Sequence, residues 1–368
     1  MKWQGLRVGL VGPLPPPAGG MAMQTRQLAE LLSAEGVVVT LVQVNAPYRP
    51  AWIERIRGVR AAFRLLPYLF RLWQCAGNVD LVHVMANSGW SWHLYAAPAL
   101  WIARARNVPV VVNYRGGEAA GFLERSVRWV RGSLAVANVL VVPSEFLREI
   151  FGRHAIAAEV LPNIVDLTRF RYRSRAFDPA APHVVITRNL EEIYDIATAL
   201  RAFARVRAEF PAARLSVAGI GPELVRLEAL SRSLGISESV RFVGRLDRDS
   251  VAALYDDADV MLNPSRVDNM PNSVLEALAC GLPVVSTRVG GVPYIVRDGV
   301  TALLVEAGDA DAMAAAIVRV LRDGDLARSL AAAGLADVQQ YTWARVRPRL
   351  WQLYERVLAM AETRVTTA

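Results

Sequence analysis

Two acids, Asp268 and Glu276, stand eight residues apart, and the residues between them limit what the pair can do. Asn269, Met270, Pro271 and Asn272 read as a turn; Ser273, Val274, Leu275, Ala277 and Leu278 read as the start of a short apolar helix that Gly281 and Pro283 end. A helix start offers backbone N–H groups and the positive end of the helix dipole, which favour a phosphate. A carboxylate accepts paired hydrogen bonds from sugar or ribose hydroxyls. A nucleotide sugar carries both chemistries. The plainer alternative is an N-capped helix with two surface acids.

Other chemistries find less in the chain. Lys2 is the only lysine, so the G-K-[ST] phosphate loop is absent. Cys75 and Cys280 lie far apart and His83, His93, His154 and His183 are scattered, which leaves neither a disulfide framework nor a zinc ligand set and points to a reduced, cytosolic setting. Four D-x-D matches, at Asp247, Asp257, Asp309 and Asp323, would suit a metal-dependent transferase. Helix caps and turns explain such a common pattern equally well.

These residues need a scaffold. At 368 residues, short apolar runs alternating with helical stretches predict an α/β chain of two domains. Residues 6–11 read as a first strand, followed by a glycine-rich loop ending in Gly19 and Gly20 and a helix over 21–33, a unit in which backbone approaches a phosphate closely. Residues 109–114 form another strand, ending at Arg115, with Glu118 at a helix start where it either contacts substrate or stabilises the dipole. In the second half a strand over 183–187 runs into Arg188, and one over 214–218 runs into Gly219-Ile220-Gly221, which without a small residue at position 224 is a weak dinucleotide signal. The predicted domains are 1–170 and 171–345, joined by an arginine-rich linker at 167–182 and followed by a helical segment over 346–368.

Charge divides unevenly, with +11 on residues 1–175 and −3 on residues 176–368. Seven of the nine tryptophans also fall in the basic half, which should therefore face something anionic. Between 51 and 73, Trp52, Ile56, Val59, Phe63, Leu66, Phe70 and Trp73 recur at helical spacing, with Arg57, Arg60, Arg64 and Arg71 on another side and a kink expected at Pro67. Such a helix fits either an anionic membrane surface or packing on the sheet. No run is long and apolar enough to span a bilayer, and the N-terminal residues do not read as a signal peptide. No nucleic-acid module is recognisable, and the arginines interleave with apolar helix faces, so nucleic acid is not an expected partner.

The segment 263–287, with its acid-x7-acid spacing, small-residue helix and Gly-Leu-Pro-Val-Val strand, resembles the donor site of retaining family 4 glycosyltransferases (glycosyl transferases group 1). The likeness extends over nearly the whole chain, including Leu161-Pro-Asn-Ile-Val-Asp166 before the linker. It implies a GT-B fold, two Rossmann-like domains facing across a cleft with the C-terminal helix crossing back and anchored by Trp351 and Tyr354. It implies transfer from a nucleotide-diphosphate sugar to a saccharide or lipid-linked saccharide with retention of configuration and without metal or cofactor. The expected setting is cytoplasmic, and the basic, aromatic first half points to a peripheral place at the inner membrane face. Asp268 would take donor-sugar hydroxyls, Glu276 the ribose, Arg188 and the amides around Asn269 to Ser273 the diphosphate, Gly19 and Gly20 the opposing clamp, and Gly219 the nucleotide side.

Several positions depart from the family pattern. Aspartate replaces the first glutamate at 268; Pro271 replaces a glycine and has no amide hydrogen, so contacts must come from Met270, Asn272 or Ser273. Arg115 replaces a histidine near the reacting sugar and, being permanently charged, is a candidate for a phosphate or an acceptor hydroxyl and not a general base. Tyr194 stands where a diphosphate-binding lysine is expected, so Arg188 must work with another arginine, such as Arg266 or Arg245, or the chain is a catalytically weak nucleotide-sugar-binding subunit.

Overall fold

The computed structural model describes residues 3–16, 19–48, 52, 56, 60–173 and 180–366. The chain forms two compact units, Met1–Asn163 with Val346–Ala368, and Ile164–Arg345.

The first unit alternates β1 (Arg7–Gly12), α1 (Gly20–Ala34), β2 (Val38–Gln43), α2 (Arg60–Ala76), β3 (Leu81–Ala86), α3 (Ala97–Ala105), β4 (Val110–Tyr114), α4 (Ala119–Leu134), β5 (Val139–Val142), α5 (Glu145–Arg153) and β6 (Glu159–Val160). Its sheet has the order β2-β1-β3-β4-β5-β6, with every pairing parallel. β3 and β4 are buried throughout, as expected of central strands of a parallel sheet covered on both faces by crossover helices.

The second unit runs β7 (His183–Thr187), α6 (Ile196–Glu209), β8 (Arg214–Ala218), α7 (Leu224–Ser233), β9 (Val240–Gly244), α8 (Arg248–Asp256), β10 (Val260–Asn263), α9 (Asn272–Ala279), β11 (Val284–Thr287), β12 (Leu303–Val305), α10 (Ala310–Arg322) and α11 (Gly324–Asp337). Its parallel sheet has the order β12-β11-β10-β7-β8-β9, so the winding reverses between β7 and β10. Each unit is thus a doubly wound, Rossmann-like layer structure.

The final helix α12 (Trp343–Thr366) belongs, from Val346 onward, to the first unit. Trp351 stacks on Trp3 with ring centroids 4.5 Å apart, and the Tyr354 hydroxyl lies 2.8 Å from His83 Nδ1 in β3. Both expected anchors make aromatic contacts inside that unit. The first division falls after Asn163, seven residues before the expected boundary at 170. Val165 and Phe170 are buried in the second unit's core beside Tyr255 and Met261, and Val165 also bridges to Thr342. Residues 174–179 of the expected linker lie outside the described residues.

The described residues of the stripe over 51–73, Trp52, Ile56, Phe63, Leu66, Phe70 and Trp73, are exposed and do not pack on the sheet. Other residues of α2, Tyr68, Leu72 and Cys75, make that contact. α2 continues through Pro67. Arg57 and Val59 lie outside the described residues. Among the described residues no helix is long and apolar enough to cross a membrane.

Candidate functional site

In the second unit the strand ends on either side of the winding reversal carry the predicted residues. Ligands of open α/β sheets bind outside the carboxyl ends of the strands at such a reversal. Arg188 follows β7, and Ser265, Arg266 and Asp268 follow β10. Asn263, the last residue of β10, organises the junction: its Oδ1 accepts from Arg188 Nε at 3.0 Å and from Ser265 Oγ at 2.8 Å, while its Nδ2 donates to Ser286 Oγ at 3.0 Å. Because Arg188 Nε can only donate, the Asn263 amide is fixed in one orientation.

The Arg188 guanidinium forms an ion pair through Nη2 with Asp268, and its central carbon lies 4.8 Å from the centroid of the Tyr194 ring. Tyr194, standing where the lysine was expected, is therefore a cation–π platform for the arginine. Burial lowers the Arg188 pKa, opposed by Tyr194, Tyr255 and Glu276. With Nε on Asn263 and Nη2 on Asp268, the guanidinium keeps Nη1 for another acceptor.

α9 begins directly after Pro271, whose side chain cannot cap it. Met270 is buried in the apolar core, and the Leu275 amide closes the first turn on the Pro271 carbonyl at 3.3 Å. Ser273 is buried, and its Oγ has no hydrogen-bond partner among the described residues. Asn272 is half-buried and Asn269 buried beside it. An unsatisfied hydroxyl at a helix start, within a turn of two acids, is a polar group held ready for a ligand atom.

Glu276 sits one turn into α9. Enclosure pushes its carboxyl pKa up to about 7, opposed by Arg248 and Arg188. Tyr255 ties β7 to the start of α9: its hydroxyl bonds to Thr187 Oγ1 and donates to the Ser273 carbonyl at 3.2 Å. Asp268, Glu276, Arg188 and the start of α9 thus gather around one point.

Gly219 and Gly221 are required by packing against the same corner. A Cβ on Gly219 would lie 1.9 Å from the Arg188 carbonyl oxygen, and one on Gly221 would lie 2.2 Å from that of Leu190. The glycine-x-glycine therefore lets the β8–α7 turn touch the β7–α6 turn, which explains it without a dinucleotide fingerprint. Arg266 is committed elsewhere: its Nε donates to Asp195 Oδ2 at 2.8 Å, and its own backbone N–H to the Ile193 carbonyl at 2.8 Å. Asp195, at φ 43°, caps α6 while holding Arg266, so this arginine locks the turn below Arg188. Arg245 is exposed.

Sequence reasoning overlooked Asn263, Ser265, Thr187, Tyr255, Asp195 and Arg248. Asn263 had a legible signal, a buried strand ending in an amide just before a proline; the others are recognisable only once the strands are side by side. The D-x-D acids serve as caps and tethers. Asp247, Asp309 and Asp323 accept from helix-start amides at 2.8–2.9 Å, and Asp257 accepts from Arg214 at 2.9 Å.

In the first unit Gly19 precedes α1 in an extended conformation, with no atom within 4 Å of a Cβ placed there, and Gly20 opens the helix. Packing thus leaves space at Gly19, as a ligand-facing loop requires; residues 17 and 18 lie outside the described residues. Glu118 is exposed, and its side chain does not cap α4. Arg115 instead turns inward, with Nε on Asn113 Oδ1 at 3.0 Å and Nη1 on Asn163 Oδ1.

Comparisons with known proteins agree with the two-unit α/β fold. The profile described as Glycosyltransferase Family 4 matches residues 18–169, and the one described as Glycosyl transferases group 1 matches residues 181–323. The glycogen synthase of Mycobacterium tuberculosis is 27% identical over 91% of this chain and 91% of its own length. Among solved structures, a sucrose-phosphate synthase from Thermosynechococcus elongatus superposes with a TM-score of 0.77 at 23% identity over 96% of this chain and 100% of its own. Anabaena HepE, solved with UDP and glucose, gives 0.73 at 16% identity over 94% and 99%.

Proposed function

Since the chain belongs to the group 1, family 4 glycosyltransferases, we propose that it moves a sugar from a nucleoside-diphosphate sugar to a saccharide or lipid-linked saccharide acceptor, with retention of configuration and without a metal ion. The observation that carries this reading is the start of α9, where the unsatisfied Ser273 hydroxyl sits among Asp268, Glu276 and Arg188 at the winding reversal. Arg188 and the α9 amides take the diphosphate, Glu276 the ribose and Asp268 the donor sugar. Catalysis consists of positioning the donor and stabilising the departing diphosphate, which is electrostatic preorganisation.

The acceptor side is placed at an anionic membrane surface, as in assembly of cell-surface polysaccharide or glycolipid. Support comes from α2, where Leu66 and Phe70 are 66% and 64% exposed on a helix that also carries Arg64 and Arg71. Apolar burial plus charge attraction is what interfacial binding needs.

The test is nucleoside diphosphate release from UDP-, GDP-, ADP- and dTDP-sugars, with and without EDTA, in the presence of membrane glycolipid extracts. Release with one donor that resists EDTA and is lost in Glu276→Ala is expected. Saturable nucleoside diphosphate binding with no release from any donor would replace transfer with a non-catalytic, nucleotide-sugar-binding role, and Tyr194 would be its cause.

A further inference from the structure

A chain of buried polar groups in the first unit ends in a cation that no carboxylate neutralises. Arg115 Nε donates to Asn113 Oδ1, which leaves Asn113 Nδ2 to donate to His83 Nε2 at 3.1 Å. His83 Nε2 is then the acceptor nitrogen, and Nδ1 carries the hydrogen toward the Tyr354 hydroxyl at 2.8 Å. Burial and the nearby Arg115 charge hold His83 neutral, its pKa lowered to about 3.

His83, Asn113 and Tyr354 are each fully buried and Asn163 nearly so, and every one is uncharged in this arrangement. The Arg115 guanidinium is thus fixed in direction by two amide oxygens, one of them Asn163, and forms no ion pair among the described residues. Burial lowers its pKa to about 10, so it remains a cation near neutral pH. Two of its five N–H donors are used, and three are left.

Arg115 is half-buried, and holding a guanidinium even partly out of water against neutral partners alone is costly, whereas a neutral side chain would fill the same space without that cost. The fork geometry of arginine matches a carboxylate or phosphate with two parallel hydrogen bonds. Arg115 also follows the carboxyl end of β4, where its neighbour Tyr114 holds the Ser88 hydroxyl at 2.7 Å. Gly116 is kept small there, since a Cβ would lie 2.2 Å from Ser88 Oγ.

We propose that Arg115 is the specificity-determining contact through which the first unit selects a substrate bearing an acidic group, a carboxylate or a phosphate. This deepens the transferase reading and rests on it for the statement that the bound group belongs to a sugar substrate. Asn113, Asn163, His83 and Tyr354 are positioning residues for the guanidinium.

The test titrates the full chain, labelled with 15N-arginine, with inorganic phosphate, D-glucuronate and D-glucose. The Nε–H resonance missing from Arg115→Gln identifies Arg115. We expect that resonance to shift saturably with at least one anion and not with glucose. Response to phosphate alone assigns a phosphate group, response to glucuronate alone a carboxylate, and response to both a general acidic-group site. Arg115→Lys, which keeps the charge without the fork, should bind the same anion at least about ten-fold more weakly. No shift with either anion, or an equal shift with glucose, overturns the proposal. Nucleoside diphosphate binding is measured separately on the same samples. Its absence from wild type would overturn the donor-site reading while leaving the Arg115 result standing.

Discussion

Arg188 is paired with Asp268 across the strand reversal, so the residues assigned to the diphosphate and to the donor sugar form one electrostatic unit. Arg188→Gln should lower kcat/KM for the donor roughly ten- to hundred-fold, the weight of a charge-assisted hydrogen bond. Asp268→Asn should also be impaired, and the double variant should lose less than the product of the two single effects. Steady-state kinetics on the three variants checks this; strictly multiplicative losses would mean that the pair is not coupled.

Glu276 makes binding depend on pH. Its carboxyl titrates near pH 7 because it is enclosed, and only the ionised form accepts two ribose hydroxyls. Nucleoside diphosphate affinity should rise between pH 6 and pH 8, and calorimetry should show this slope flattened in Glu276→Gln.

The same group should act oppositely on stability. A carboxyl whose folded pKa is raised binds protons more tightly when folded, so its contribution is most favourable below the unfolded pKa, near 4.5, and is lost as pH rises through about 7. Glu276→Gln should therefore raise Tm relative to wild type at pH 8 more than at pH 5. Thermal denaturation with no pH dependence in the difference would count against an enclosed carboxyl.

Gly219→Ala places a methyl group against the Arg188 carbonyl oxygen, a backbone atom that cannot swing aside. A destabilisation of about 1–3 kcal/mol is expected from overpacking. Urea unfolding measures it, and loss of donor affinity should accompany it because the Arg188 turn must shift.

On α2, Leu66→Glu with Phe70→Glu should abolish binding to phosphatidylglycerol vesicles while leaving Tm nearly unchanged, because both side chains face outward. Unchanged sedimentation with the vesicles would remove the membrane from the reading.

The fold was legible because buried strands such as 110–114 open on β-branched runs, here three valines, and the helices between them keep a 3.6 period. The acids before and within α9 were legible for the same local reason: a turn, a helix start and two carboxylates lie within a single segment of chain. What escaped was contact between segments. Asn263 grips Arg188 from 75 residues away, and Tyr255 reaches Ser273 from a different helix. Spacing along a sequence carries no record of either. The Gly219 motif was visible but its reason was not, since only the folded corner shows which atom a Cβ would strike.

The return of α12 to the first unit sets an order of events during synthesis. Trp3 and His83 leave the ribosome early, but Trp351 and Tyr354 emerge only after the entire second unit has been made. Until then the nascent first unit lacks the partner of Trp3 and the hydroxyl that His83 Nδ1 meets, and it is completed only after the second unit has been synthesised. The polar network that aims Arg115 is therefore completed only after the second unit, which makes its assembly a report that this unit has been translated.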